Sequence, residues 1–245
     1  EMISRWPVRT GVMVFQCVAY FGAGIFPHED VYLYAVNAED GNVLWRQDNL
    51  SVLDAGRNDL SPQGYLLASE EQLFIPSGRS LPAAIDRRTG ELLFKRTHSW
   101  RTTAGGVIGG VDALLSDGQV YTSGPEHWLA MQQSSGEVGF GWFDGRLIVV
   151  QGDDAYVTTG QTIAKLDRLA YATNSRRRHE LEMVVYDTSR KLPSAGAQAA
   201  ELRRKMKNAR EELRQISMTG ITWRQAVNDD AALIATGDRV FRCRL

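Results

Sequence analysis

Apolar residues along this chain fall in short alternating runs rather than in long amphipathic sweeps, and the runs resemble one another. "CVAYFGAG" (Cys17 to Gly24), "EQLFIPSG" (Glu71 to Gly78) and "GQVYTSG" (Gly118 to Gly124) share one pattern. "DAYVTTGQTIAKLD" (Asp154 to Asp167) and "DRVFRCRL" (Asp238 to Leu245) extend the series. Alternation with a period of two over a few residues, bounded by Gly, Asp and Asn, predicts strands buried on one or both faces. Further short strands precede four of these runs, at Tyr65–Ser69, Asp112–Ser116, Arg146–Gly152 and Ala231–Gly237.

A second repeated stretch follows the first. "YAVNAEDGNVLWR" (Tyr34 to Arg46) has a cousin in "AAIDRRTGELLFKR" (Ala83 to Arg96). Laying Ala84 on Ala35 brings Asp86 onto Asn37, Gly90 onto Gly41 and Phe94 onto Trp45. A weaker third copy, "LAMQQSSGEVGF", places Ala130 and Gly136 in the same frame. The chemistry of the stretch is that of a turn. Asn37 or Asp86 can accept from the backbone N–H groups that follow, the glycines supply a φ that a Cβ disfavours, and Trp45 or Phe94 offers a flat surface to wedge between neighbours. Four short strands per repeat of about 40 to 50 residues predict an all-β propeller of four-stranded blades, about four of them plus part of a fifth.

The β pattern stops between Arg168 and Gly220. From Ala195 to Met218 the sequence is helical, with Leu202, Met206, Ala209, Leu213 and Ile216 at alternating steps of four and three, a short a/d seam. Ser194 is expected to cap this helix and Gly220 to close it. Ser175–Leu192 is expected as its partner, with Leu181 and Val184 or Val185 on the seam and Pro193 at the turn. The organisation that follows is propeller over residues 1–168, an inserted helical hairpin over 169–220, and a return to the propeller over 221–245.

Charge narrows the function classes. Lysine plus arginine number 28 against 29 acidic residues, a net charge of -1, so no global field draws in nucleic acid or an anionic membrane. The hairpin is locally basic through Arg176, Arg177, Arg178, Arg203, Arg204, Lys205 and Lys207, diluted by Glu180, Glu182, Glu201, Glu211 and Glu212, with no interleaved aromatic platform. That pattern suits a contact with an acidic protein surface rather than nucleic acid. The apolar stretch "GVMVFQCVAYFGAGIF" is too short and interrupted to span a membrane. A chain that begins with glutamate reads as a domain excised from a longer protein. Cys17 and Cys243 have no Cys/His cluster around them and are expected as buried fillers of alternating strands, with a disulfide between terminal blades as the alternative.

The motif A-x-[DN]-x-x-x-G-x-x-x-[WF], preceded by "VYLYAVNAEDGNVLW", resembles the quinoprotein-type (PQQ-like) β-propeller repeat. The resemblance covers Gly11 to about Asp167 and resumes from Trp223 to Leu245. That family includes quinone-dependent alcohol dehydrogenases and the non-enzymatic scaffold lipoprotein of outer-membrane protein assembly. "SPQGYLLAS" is similar to segments of large bacterial proteins in which this propeller is one module, at times beside a methyltransferase module. The resemblance implies a bacterial, exported protein of the periplasm or cell envelope. An enzyme of the family would show adjacent cysteines against its quinone, acidic and amide ligands for calcium, and an aspartate base. This chain has no Cys-Cys pair and fewer blades than the eight of those enzymes, so no cofactor is expected.

Other catalytic constellations are equally thin. His28, His98, His127 and His179 are scattered, with no HExxH. "SGPEH" lacks a nucleophile elbow, and "AGGVIGG" (Ala104 to Gly110) lacks the GK[ST] ending of a phosphate loop. In "THSWRTT", His98, Trp100 and Arg101 are candidates for a binding surface on one propeller face. The expectation is a non-catalytic scaffold or binding module, whose partner is a protein or further blades of the same parent chain. The alternatives are a fragment of a quinone-dependent dehydrogenase and an accessory propeller to a catalytic module.

Overall fold

The computed structural model describes residues 7–25, 30–48, 50, 60–78, 80–96, 111–124, 127–216, 218–228 and 232–243. Two compact units divide the chain, one formed by Glu1–Trp100, Val107–Pro125 and Met131–Val138, the other by Arg101–Gly106, Glu126–Ala130 and Gly139–Leu245. Among the described residues the strands form four four-stranded sheets and one two-stranded sheet. Every sheet is an up-and-down meander of consecutive strands, the build of a propeller blade.

The first blade is β1 (Met13–Phe15), β2 (Val18–Ala23), β3 (Tyr32–Asn37) and β4 (Val43–Gln47). The second is β5 (Leu67–Ala68), β6 (Gln72–Ile75), β7 (Ala83–Asp86) and β8 (Leu92–Phe94). The third is β9 (Ala113–Ser116), β10 (Gln119–Ser123), β11 (His127–Gln132) and β12 (Val138–Asp144). The fourth takes β13 (Leu147–Gln151), β14 (Asp154–Thr158), β15 (Thr162–Asp167) and β16 (Ile221–Ala226), and the partial fifth is β17 (Ala232–Thr236) with β18 (Arg239–Cys243). The described residues thus form a partial β-propeller of four four-stranded blades and a two-stranded fifth, with a helical insertion.

In the first unit, Tyr20, Leu33, Leu50, Leu60, Leu73, Ile75 and Ile85 form one fully buried cluster. Each such side chain contributes about 1.5–3 kcal/mol through burial. Arg87 joins the first two blades from a buried position. Its Nη1 donates to the Tyr20 hydroxyl at 3.2 Å, its Nη2 to Gln16 Oε1 at 2.6 Å and to the Glu70 carbonyl at 2.8 Å, and its guanidinium lies 4.8 Å from the Phe15 ring centre.

The helical insertion comprises α1 (Arg168–Lys191) and α2 (Ala199–Ile216), placed in sequence between β15 and β16. α1 starts earlier than the pattern from Ser175 suggests, because Asp167, the last residue of β15, caps it directly by accepting from the Ala170 N–H at 2.9 Å. Ser194 does not cap α2: its hydroxyl donates to the Lys191 carbonyl at 3.3 Å, and two 3-10 turns, Leu192–Ser194 and Gly196–Gln198, join the helices. In α2, Ala209 is buried and Leu202, Met206, Leu213 and Ile216 are half-buried, as are Ala199 and Glu212, and Arg177 clamps the pair by donating Nε and Nη2 to the Glu212 carboxylate at 2.6 and 2.8 Å. No described helix is long and apolar enough to cross a membrane.

Both cysteines are exposed, contrary to the expectation of buried fillers. Cys17 occupies the two-residue turn between β1 and β2, where it and Gln16 adopt φ of +59° and +50°, the left-handed pair that such a hairpin requires. Cys243 ends β18, whose residues are mostly exposed.

Candidate functional site

The element that closes each blade is built the same way from local hydrogen bonds. Asn37 Oδ1 accepts from the Glu39 N–H, and Asp86 Oδ1 from the N–H groups of Arg88 and Thr89, each at 2.8 Å. The Thr89 N–H, seconded by that of Arg88, holds the Asp86 carboxyl below its ordinary pKa. Across the turn, Asn37 N–H donates to the Asn42 carbonyl, Asp86 N–H to Glu91 and Gln132 N–H to Glu137, at 2.8, 2.8 and 2.9 Å. Gly41, Gly90 and Gly136 take φ of +74°, +77° and +69°, and Ala35, Ala84 and Ala130 are fully buried in the third strands.

The aromatic that follows faces the next blade. Ala35 pairs with Trp45 and Ala84 with Phe94, each just before a bulge that lets one extra residue into the outer strand. Trp45 packs on Gly90 of the second blade, while its indole N–H donates to the Arg87 carbonyl and Gln47 Nε2 to the Gly90 carbonyl, both at 3.0 Å. Phe94 packs on Gly136 of the third blade in the same manner, and Arg96 donates to the Ser135 carbonyl at 3.1 Å. Absence of a side chain on each glycine is what lets the ring reach the backbone.

In the fourth blade the helical insertion occupies this same turn. Asp167 stands where Asn37 and Asp86 stand, and its N–H donates to the Gly220 carbonyl at 2.7 Å, so the turn is closed although residues 168–219 lie inside it. The residue after the Asx position also keeps its partner. Ala38, Arg87, Gln133 and Arg168 N–H groups donate to the carbonyls of Cys17, Glu71, Gly118 and Asp153, at 2.8–2.9 Å.

Between the hairpin and the sheet of the fourth blade lies a cavity of about 330 Å³. Its charged and phenolic lining is Asp144, Tyr171, Arg178, Glu182, Arg214 and Arg224, Thr159 and Thr162 add hydroxyls, and Val157, Ala164, Leu166 and Leu213 are the apolar walls. Tyr171 donates its hydroxyl to Asp144 Oδ2 at 2.9 Å and stacks on Phe143, with centroids 5.4 Å apart. Burial, reinforced by the Asp144 charge, pushes the Tyr171 phenol above its ordinary pKa, so it remains a donor. Arg178 is buried, lies 4.1 Å from the Tyr171 ring centre and donates Nη2 to the Ile216 carbonyl at 3.3 Å. Burial, with the Asp144 charge behind it, raises Glu182 to about 7, and Arg178 opposes the shift. The cavity therefore offers a phenol, a cation and a carboxyl that holds its proton close to neutrality. Those groups can bind and orient a small polar ligand.

Next to it, His127 and His179 stack on the two sides of Trp142, with centroids 3.9 and 4.3 Å away. Burial, then the neighbouring His179 charge, pulls His127 down to about 4, and the ring is neutral at physiological pH. Histidines that look scattered in sequence are thus two faces of one stack. Tyr171, Arg178 and Glu182 were also missed as a group. They fall seven and four residues apart, one face of a helix, but a helix begun at Ser175 leaves Tyr171 outside it.

His98, Trp100 and Arg101, the candidate surface residues, lie outside the described residues, as do His28 and residues 104–110. Among the described residues no three Asp, Glu, His or Cys side chains gather where a metal ion could sit. Cys17 in a hairpin turn and Cys243 at a strand end supply no adjacent thiol pair.

No protein-family model matches the chain, and no curated protein does. Among solved structures it is similar to a europium-containing methanol dehydrogenase, at 15% identity and a TM-score of 0.46, over 68% of this chain and 42% of that one. A quinohemoprotein alcohol dehydrogenase from Comamonas testosteroni aligns at 15% identity and 0.46 over 67% and 34%, and BamB from Moraxella catarrhalis at 11% and 0.41 over 67% and 62%. The chain thus spans less than half the length of the two dehydrogenases.

Proposed function

We propose that this chain is a non-catalytic propeller module of a larger, exported bacterial protein, in which blades form the scaffold and the helical hairpin presents a protein-binding surface. The observation that carries this reading is the insertion between Asp167 and Gly220, which elaborates one blade while keeping the hydrogen bond that closes it. Half of α1 is fastened down through Tyr171, Ala172, Ser175, Arg178 and Leu181, whereas Arg203, Arg204, Lys205 and Lys207 of α2 are exposed. An anchored base with an exposed basic face suits recognition of an acidic protein surface. Further blades of the parent chain are the other partner of this scaffold.

Titration of the purified chain with pyrroloquinoline quinone and calcium, followed by absorbance and melting temperature, tests the non-catalytic part. No saturable change is expected, and a stoichiometric shift would overturn it. Photo-crosslinkers at Arg203 and Lys207 in the full-length protein test the other part. A discrete adduct lost on reversing the charge of Arg203, Arg204 and Lys205 supports the reading, and an adduct indifferent to that reversal counts against it.

A further inference from the structure

Arg178 lines the cavity beneath the hairpin as a cation that its own surroundings do not satisfy. The residue is 4% exposed, yet its Nη1 has no hydrogen-bond acceptor among the described residues, and the bond from Nη2 to the Ile216 carbonyl is long at 3.3 Å. Two carboxyl groups line the same cavity and neither answers it. Glu182 stands one turn further along α1, at the spacing where helical ion pairs form, but the two make none. Asp144 accepts from the Tyr171 hydroxyl instead. A buried charged donor left unmet costs more than a neutral one, so an acceptor that enters the cavity gains what the fold forgoes.

Charge and shape select that acceptor. Arg214 of α2 and Arg224 of β16 add two guanidinium groups to the lining, against Asp144 and a Glu182 carboxyl brought to about 7 by burial first and the Asp144 charge second. The balance near neutrality is positive and favours an anion. Val157, Ala164, Leu166 and Leu213 form apolar walls that a bare oxyanion would leave uncovered. A volume of about 330 Å³ is at the lower end for small-molecule sites, which limits the occupant to a small body. All of these residues sit on strands or helices rather than loops, a setting that pre-organises a site.

We propose that the cavity binds a small monocarboxylate with an apolar body, its carboxylate taken by Arg178 with help from Arg224 and its hydrocarbon laid against Leu166 and Leu213. The proposal does not rest on the scaffold reading above, because the basic stretch of α2 tested there, Arg203 to Lys207, is not part of the cavity lining.

Calorimetric titration of the full 245-residue chain at pH 7 with hexanoate and with benzoate, each against its neutral amide, is the test. At least one acid is expected to bind saturably with a Kd below about 1 mM, and its amide about tenfold more weakly or worse. Inorganic phosphate at the same concentration should not displace the acid. Arg178→Gln should weaken the acid by about tenfold, with circular dichroism reporting whether α1 survives the loss of its anchor. Arg224→Glu is the second variant, since Arg224 is exposed and its exchange leaves the fold in place. The added carboxylate should weaken the acid about tenfold more than it weakens the amide, whereas a structural disturbance would move both alike. An amide that binds as tightly as its acid, displacement by phosphate, an Arg224→Glu chain that binds the acid like the parent, or no saturable binding of either acid overturns the proposal.

Discussion

Gly90 lies under Trp45 so closely that a methyl group on it would stand 2.9 Å from both Cδ2 and Cε3 of the indole. Gly41 has nearly the same backbone, φ +74° against +77°, and a methyl group there would meet nothing within 4 Å. The two positions therefore separate backbone strain from contact. Gly41→Ala should cost about 1 kcal/mol, the ordinary penalty of a left-handed alanine. Gly90→Ala should cost about 3 kcal/mol, since the indole must also move. Urea midpoints for the two variants check this, and equal losses would show that the ring contact carries no weight.

Arg87 binds the first two blades through carbonyl, amide and phenol oxygens. Arg87→Ala should destabilise the first unit by about 2–3 kcal/mol, because Gln16 Oε1 and the Glu70 carbonyl lose a charged donor and Phe15 loses its cation. Arg87→Lys should recover less than half, having no planar fork with which to reach three acceptors. Chemical denaturation followed by near-ultraviolet circular dichroism measures both.

Gly220 sits at φ +78°, and a Cβ there would meet the backbone N of Tyr171 and stand 2.6 Å from its Cα. Backbone cannot swing aside as a side chain can. Gly220→Ala should therefore displace the first turn of α1 and cost about 3 kcal/mol or more. A loss of protection from hydrogen exchange confined to residues 168–178 and 218–224 is the expected signature. Uniform protection in the variant would refute it.

Glu182 and His127 pull the pH dependence in opposite directions. Between about 4.5 and 7 the folded state binds more protons at Glu182 than the unfolded chain does, so its contribution to stability is present in acid and lost as pH rises through 7. His127 is held neutral down to about 4, so its contribution is present above 6.5 and lost as pH falls toward 4. Glu182→Gln should gain about 1 kcal/mol over the parent at pH 8, discounted for partial exposure, and gain nothing at pH 4.5. Without the opposing carboxyl, the variant should lose stability on acidification from 6.5 more steeply than the parent. Urea midpoints at pH 8, 6.5 and 4.5 decide the matter.

Strand runs, turns and the helical interruption are legible in the sequence because period two, glycine spacing and the seam from Leu202 to Ile216 each reflect local physics. The start of α1 is not, because "LDRLAY" carries no charge pattern to announce a helix and Asp167 serves strand and cap at once. Partners across the fold are hidden for a different reason. Spacing shows that Gly90 recurs, but that it meets Trp45 depends on the docking of one sheet on the next. The same holds for Asp144 against Tyr171 and for Trp142 against His179, which meet only when α1 packs on the end of β12, whereas His127 reaches Trp142 from the neighbouring strand β11.

The short bond from Asp167 N to the Gly220 carbonyl makes this turn a port. Both lips of the opening are fixed by the blade, so ordering whatever is spliced there requires little further loop closure. The turns at Asn37–Asn42 and Asp86–Glu91 have lips of the same construction. A hairpin transplanted between Asp86 and Glu91 should leave its blade intact, and the repeat can thus carry one attachment point for each blade it adds.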